Sequence, residues 1–279
     1  MKKKLILIGA ALILITSVVV YEALKPPVVY KPWYEYQFIA HAMGAVEGDD
    51  YTNSLEAFKE SYEKGIRVFE IDLLTSCDGE LILLHDWKEY NENSLNQASC
   101  EYQCSTKEDF LKSKIHGKYT SLSFEDVLKL SKKYKDTYFI FDTKTFDLES
   151  SKLSYDKINE LINKYKVDIN RFIPQAYTLD MYQMLKSDYA FESIILTLYH
   201  IIYETDGTKL AEFSRDNEVK YITLHQNDAW AERVLSDLKD FNGYWELGLK
   251  FYIHTINDRE VYQSLLDKGV SGVYTDDLY

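Results

Sequence analysis

The sequence predicts an α/β protein, a (β/α)8 TIM barrel with a β-hairpin and an insertion over its C-terminal face, preceded by an N-terminal membrane anchor helix. Three observations lead there. Eight short apolar runs, at residues 38–41, 68–73, 138–141, 172–176, 194–198, 221–224, 251–255 and 272–274, have the length and composition of strands. Amphipathic stretches at 54–64, 124–134, 154–165 and 259–268 lie between them, and that alternation builds a parallel sheet. The 279 residues suffice for one barrel and contain no Gly-rich phosphate loop, so eight repeats point to closure, with a doubly wound open sheet as the runner-up.

Taken in order, the chain begins with Lys2, Lys3 and Lys4 and an apolar run at 5–21, together residues 1–24. The run is at the short limit for a membrane span and long for a cleavable signal. Its one small-residue cleavage candidate, near Ala23, has Tyr21 two positions before it, so an uncleaved anchor is preferred over secretion after cleavage. The lysines stay inside, which makes this a single-pass cell-membrane protein with an extracytoplasmic domain. Residues 25–36 hold three of the four prolines and read as a stiff stalk; residues 37–279 form the barrel domain.

The run at 81–85 follows the second strand too soon for a helix to intervene, and Asp78-Gly79 marks a hairpin turn. Its returning arm brings His85 back toward the end of strand two, and residues 87–121 become an insertion over that face. With three cysteines there is no disulfide scaffold and no complete zinc set; the simplest expectation is a local Cys100–Cys104 pair with Cys77 free. The 24 tyrosines read as core and rim packing.

Net charge is −13, and setting aside residues 1–35 leaves 27 basic against 43 acidic residues. Such an acidic body excludes nucleic acid as a partner. It would repel a phosphate ligand too unless a local site, such as a bound cation, draws it in.

Side chains on a strand alternate faces, so Glu70 and Asp72 point together, as do Asp142 and Lys144 on the next barrel strand. Gathered at one barrel end, these acids suit a divalent cation, and the ammonium suits a phosphoryl oxygen. Taken singly, the acids also fit a solvated strand end, and Asp142 with Lys144 fits a structural ion pair. His41 ends strand one and His85-Asp86 ends the hairpin arm; two histidines flanking a metal can serve as general base and general acid. Asn53 through Glu56 reads as a capping box, with Asn53 as N-cap and a supporting role at the site also open.

His41, Asn53-Ser54-Leu55-Glu56-Ala57-Phe58, Gly65, Glu70-Ile71-Asp72, Asp78-Gly79 and His85-Asp86, followed by Asp142-Thr143-Lys144 and Gly272-Val273-Tyr274-Thr275-Asp276, resemble the glycerophosphodiester phosphodiesterase family. The resemblance covers the chain from Phe38 onward. It implies a phosphatidylinositol-phospholipase-like barrel with Mg²⁺ or Ca²⁺ held at Glu70, Asp72 and Asp142. It also implies His41 and His85 as the acid–base pair and Lys144 on the phosphodiester. Ala42 stands where the family usually has a phosphate-binding Arg, Thr52 and Asp142 where it has Glu, and His254 near a common Trp. These departures surround the pocket, where Asn53 and His254 are candidate substrate-binding residues. The substrate implied is a phosphodiester: a small glycerophosphodiester, a lipid headgroup or an envelope polymer. A non-catalytic module binding a phosphorylated polymer and a phospholipase D-like lyase are the alternatives.

Overall fold

The structure, a computed structural model, describes residues 30–94, 104–199, 207–226 and 248–279. The chain divides into a unit at Met1–Lys31 and a barrel unit at Pro32–Tyr279. The apolar run at 5–21 lies outside the described residues, and among those residues no helix is long and apolar enough to cross a membrane.

Strands β1 (Phe38–Ala40) and β2 (Val68–Thr75) are followed by β3 (Leu81–Leu83), by the small pair β4 (Lys114–Ile115) and β5 (Tyr119–Thr120), and by β6 (Tyr138–Asp142), β7 (Phe172–Ala176), β8 (Ile195–Thr197), β9 (Tyr221–His225), β10 (Lys250–His254) and β11 (Gly272–Thr275). The ring runs β1-β11-β10-β9-β8-β7-β6-β2 and closes through β1 against β2, with parallel pairing throughout. The eight expected strands are those eight, each within a residue or two of its expected bounds; β2 runs on to Thr75 to form the hairpin. The described α-helices are α1 (Leu55–Glu63), α2 (Trp87–Asn93), α3 (Lys107–Lys112), α4 (Phe124–Lys133), α5 (Leu148–Tyr165), α6 (Leu179–Asp188), α7 (Gly207–Asp216) and α8 (Arg259–Asp267).

Alternation along the strands divides the core in two. Outward-facing Phe69, Phe139, Phe141 and Phe172 pack with helix residues such as Phe58, Val127 and Ile158 in the larger cluster. Inward-facing Ile39, Val68, Ile140, Ile173 and Ile195 form the smaller one with Tyr221, Tyr252 and Tyr274. Trp33 closes that inner cluster at the N-terminal end of the strands: it is 3% exposed, its ring centroid lies 4.6 Å from that of Tyr221, and its Nε1 donates to Ser193 Oγ at 3.0 Å. Residues 32–36, read from sequence as the end of a stalk, are therefore placed with the barrel; a Pro-rich composition does not reveal that one indole fills the barrel floor. At the closing seam Gly272 lets β11 approach the chain before β1, where a Cβ would sit 2.6 Å from the Gln37 carbonyl oxygen.

The hairpin forms as expected, with Leu73, Leu74 and Thr75 antiparallel to Leu83, Ile82 and Leu81 and Gly79 at φ 76° in the turn. The cysteine expectation is corrected: Cys77 pairs with Cys104, and Cys100 lies outside the described residues. The cause is the docking of the hairpin tip on the start of α3, where Cys77 N donates to Ser105 O at 3.0 Å and Lys107 N donates to Asp78 Oδ1 at 2.9 Å. The cap is corrected by one residue. Ser54 is the N-cap of α1, accepting from Ala57 N at 3.2 Å, while Glu56 accepts from the backbone and hydroxyl of Thr120.

Candidate active site

The C-terminal ends of β1, β2 and β6 place His41, Glu70, Asp72 and Asp142 on the inner face, and register sets Asp72 beside Asp142. Glu70, Asp72 and Asp142 each bring one carboxylate oxygen within 4.8 Å of the others. Lys144, beyond β6 in a left-handed conformation at φ 52°, reaches back between two of them: its Nζ lies 2.7 Å from Asp72 Oδ1 and donates to Asp142 Oδ2. Asn53, also left-handed at φ 47°, clamps Asp72, donating from Nδ2 to its Oδ2 at 2.7 Å and accepting from its N–H at 3.0 Å. That role displaces the cap expected of it. Ala42, at φ 45°, donates its N–H to Glu70 Oε2 at 2.7 Å, so position 42 serves the site through its backbone.

Burial, and next to it the charge of Asp72, push the Glu70 carboxyl up to about 8. Asp72 goes the other way, because Lys144, His85 and His41 outweigh its own burial. The ammonium of Lys144 is held above its usual range: burial opposes its charge, but the charges of Asp72, Asp142 and Glu70 outweigh that. Three carboxylates with so little positive charge among them fit a divalent cation, and an all-oxygen donor set fits a hard one.

His41 is buried, and its Nδ1 lies 2.9 Å from Asp276 Oδ1. Asp276 is itself fixed by Asn257, whose Nδ2 donates to its Oδ2 at 2.6 Å and whose Oδ1 accepts from its N–H at 2.8 Å. Burial works against an imidazolium here. The Asp276 hydrogen bond and the charges of Glu70, Asp276 and Asp72 outweigh it and push His41 up to about 9. His85 is more open, with Nδ1 at 3.2 Å from Asp86 Oδ2 and 3.8 Å from Glu89 Oε2. Between the two histidines stands Tyr51, its ring centroid 4.6 Å from that of His41 and 4.8 Å from that of His85.

His254 lies inside the barrel wall, its ring 5.8 Å from that of His41 and stacked on Tyr274 at 3.4 Å. Its Nε2 is buried without a hydrogen-bond partner among the described residues, and burial first, then the positive charge of His41, holds the ring well below the usual imidazole range. The structure thus brings together His41, Asn53, Glu70, Asp72, Asp142 and Lys144, with His85 across the Tyr51 ring and His254 against His41.

Three residues escaped the sequence reading of the site: Asp276, Tyr177, whose hydroxyl donates to Asp142 Oδ1, and Tyr51. Strand alternation holds a signal for two of them, since Tyr274 and Asp276, like Gln175 and Tyr177, are two apart at a barrel strand's C-terminal end. No such periodicity marks Tyr51.

The sequence profile of the glycerophosphoryl diester phosphodiesterase family matches residues 46–278. No curated protein sequence matches the chain. Among solved structures, an Oleispira antarctica phosphodiesterase in complex with the product sn-glycerol-3-phosphate aligns at 15% identity, covering 87% of this chain and 94% of that one, with a TM-score of 0.67. A glycerophosphodiester phosphodiesterase from Parabacteroides distasonis aligns at 18% identity over 87% and 93%, with a TM-score of 0.65. One from Thermotoga maritima aligns at 17% over 86% and 94%, with a TM-score of 0.63. At such identities the likeness is one of fold.

Proposed function

The chain belongs to the glycerophosphoryl diester phosphodiesterase family, and from that premise we propose that it hydrolyses a glycerophosphodiester with His41 and His85 as acid and base. The observation that carries this is the placement of two histidines beside three clustered carboxylates and an ammonium, at the barrel end where such enzymes work. The sn-glycerol-3-phosphate bound by the Oleispira antarctica structure supports the substrate class.

His41, held by the Asp276 carboxylate, keeps its proton at neutral pH and gives it to the departing alkoxide as the P–O bond breaks. A cation at Glu70 and Asp72 would weaken their share of that effect, but the Asp276 bond would remain. His85, open to solvent, takes the proton of the attacking water. Lys144 neutralises phosphate charge as it develops. Glu70, Asp72 and Asp142 would hold Mg²⁺ or Ca²⁺, which when bound supplies further charge neutralisation at the phosphate. Asn53 keeps Asp72 aimed, and His254 lines the pocket beside His41.

We further propose an extracytoplasmic domain held at the cell membrane by residues 1–24. The Cys77–Cys104 bond supports an oxidising compartment, and Lys2 to Lys4 before the apolar run support the orientation. A lipid headgroup or an envelope polymer would then be within reach as substrate.

The test is incubation of the full-length chain with a panel of glycerophosphodiesters, with and without chelator, and identification of products. Chelator-sensitive release of glycerol phosphate supports the proposal. A cyclic phosphate would indicate a lyase, and metal-dependent binding without turnover would indicate the binding module.

A further inference from the structure

We propose that Tyr51 binds the phosphodiester itself, its hydroxyl donating a hydrogen bond to a non-bridging phosphate oxygen; this rests on the phosphodiesterase reading of the site. Its ring meets both histidines edge-on, with interplanar angles of 83° to His41 and 69° to His85. Two histidines that move protons to and from oxygens on one phosphorus must each come within hydrogen-bond reach of those oxygens. A ring packed against both therefore lies beside the phosphoryl group.

The chain goes to some cost to hold it there. Tyr51 has φ 53° and Asn53 φ 47°, two left-handed residues separated only by Thr52, and a residue other than glycine is strained in that conformation. The segment is pinned on both sides. After Tyr51, Asn53 clamps Asp72. Before it, the Asp49 carboxylate accepts from Lys118 Nζ at 2.9 Å and from the Tyr119 hydroxyl at 2.6 Å, which ties the loop to the insertion.

Packing alone would be served by phenylalanine, but Tyr51 carries a hydroxyl that makes no hydrogen bond among the described residues while its ring is half-buried. Burial first, then the charges of Asp276, Asp72, Asp50 and Glu70, push the phenol up to about 12, so it stays a donor at any working pH. A phosphate oxygen is the acceptor that the site's chemistry would bring to it, and such a charge-assisted bond is among the stronger ones.

Tyr51→Phe is the discriminating variant, because it keeps the ring and removes the donor. In the full-length chain at saturating Mg²⁺, inorganic phosphate binding by calorimetry and KM on the best diester are expected to weaken about 10- to 100-fold, the scale for losing a donor to a charged group. The turnover number should stay within about threefold, the pattern of lost uniform binding. Tyr51→Leu should add a fall in turnover, since the histidines lose their packing. Parental phosphate affinity and KM in Tyr51→Phe would overturn the proposal. If the parent binds phosphate but hydrolyses no diester, the phosphodiesterase reading fails instead, and the phosphate affinity of Tyr51→Phe still decides the role of Tyr51.

Discussion

The two ends of the barrel interior are built from the same strands, two residues apart. Toward the N-terminal end the inward positions are Ile39, Val68, Ile140, Tyr252 and Tyr274 over Trp33. One alternation further along stand His41, Glu70, Asp142, His254 and Asp276, with Asp72 beyond Glu70. The lower layer gains from burial, at about 25 cal/mol for each Å² of apolar surface removed from water. The upper layer holds charges that one another, Lys144, His85 and a cation can compensate. Stability and chemistry are thus separated along single strands, and substitutions at the two levels should fail in different ways.

Ile140→Asp should have the largest effect. It adds a carboxylate like that of Asp142 two residues down the same strand, at a fully buried position in a cluster with Ile39, Val68, Ile173 and Ile195. The cost should exceed about 5 kcal/mol and leave the barrel unfolded by circular dichroism. A folded, active variant would erase the distinction between the levels.

Lys144→Met tests the upper level alone. Turnover should fall by about 10²- to 10³-fold, the scale for losing one preorganised stabiliser of transition-state charge, while the fold persists. Excess cation should not restore the rate if, as proposed, the ammonium acts on the phosphate. Rescue by cation would reassign Lys144 to holding the metal site together.

A smaller effect sharpens the cost of the upper level. Glu70 has a folded pKa of about 8 against an ordinary 4.5, so its protonated form favours the fold. In metal-free protein that contribution is complete below 4.5 and is lost as pH rises toward about 8. His41, pushed up to about 9, adds a loss only above its ordinary 6.5, so a decline in Tm between pH 4.5 and 6.5 belongs to Glu70. Glu70→Gln should flatten that part, and Ca²⁺ should raise Tm more at pH 8 than at pH 5. A cation effect independent of pH would argue that the ion binds elsewhere.

The barrel was legible because Val68 to Asp72 and Tyr138 to Asp142 each declare, by alternation, an outer apolar face and an inner face that turns polar at one end. The same rule exposed Glu70, Asp72 and Asp142, while strand-end position exposed His41. What stayed hidden depends on contacts distant in sequence. Asp276 reaches His41 across a separation of 235 residues, and Cys77 meets Cys104 only once the hairpin docks on α3. Asn53 was misread because a residue before a helix suggests a cap, whereas its left-handed backbone turns the side chain toward Asp72. Trp33, within a proline-rich stretch, gave no periodic sign of where it packs.

With proton transfer proposed for the histidines and cation binding for the acids, the most direct test is the initial rate of diester hydrolysis by His41→Ala and His85→Ala at saturating metal. Each variant should lose about 10²- to 10⁴-fold, the usual scale for a missing general acid or base. The loss should persist at every cation concentration, because Glu70, Asp72 and Asp142 are intact. Near-parental rates in both variants would contradict the assignment.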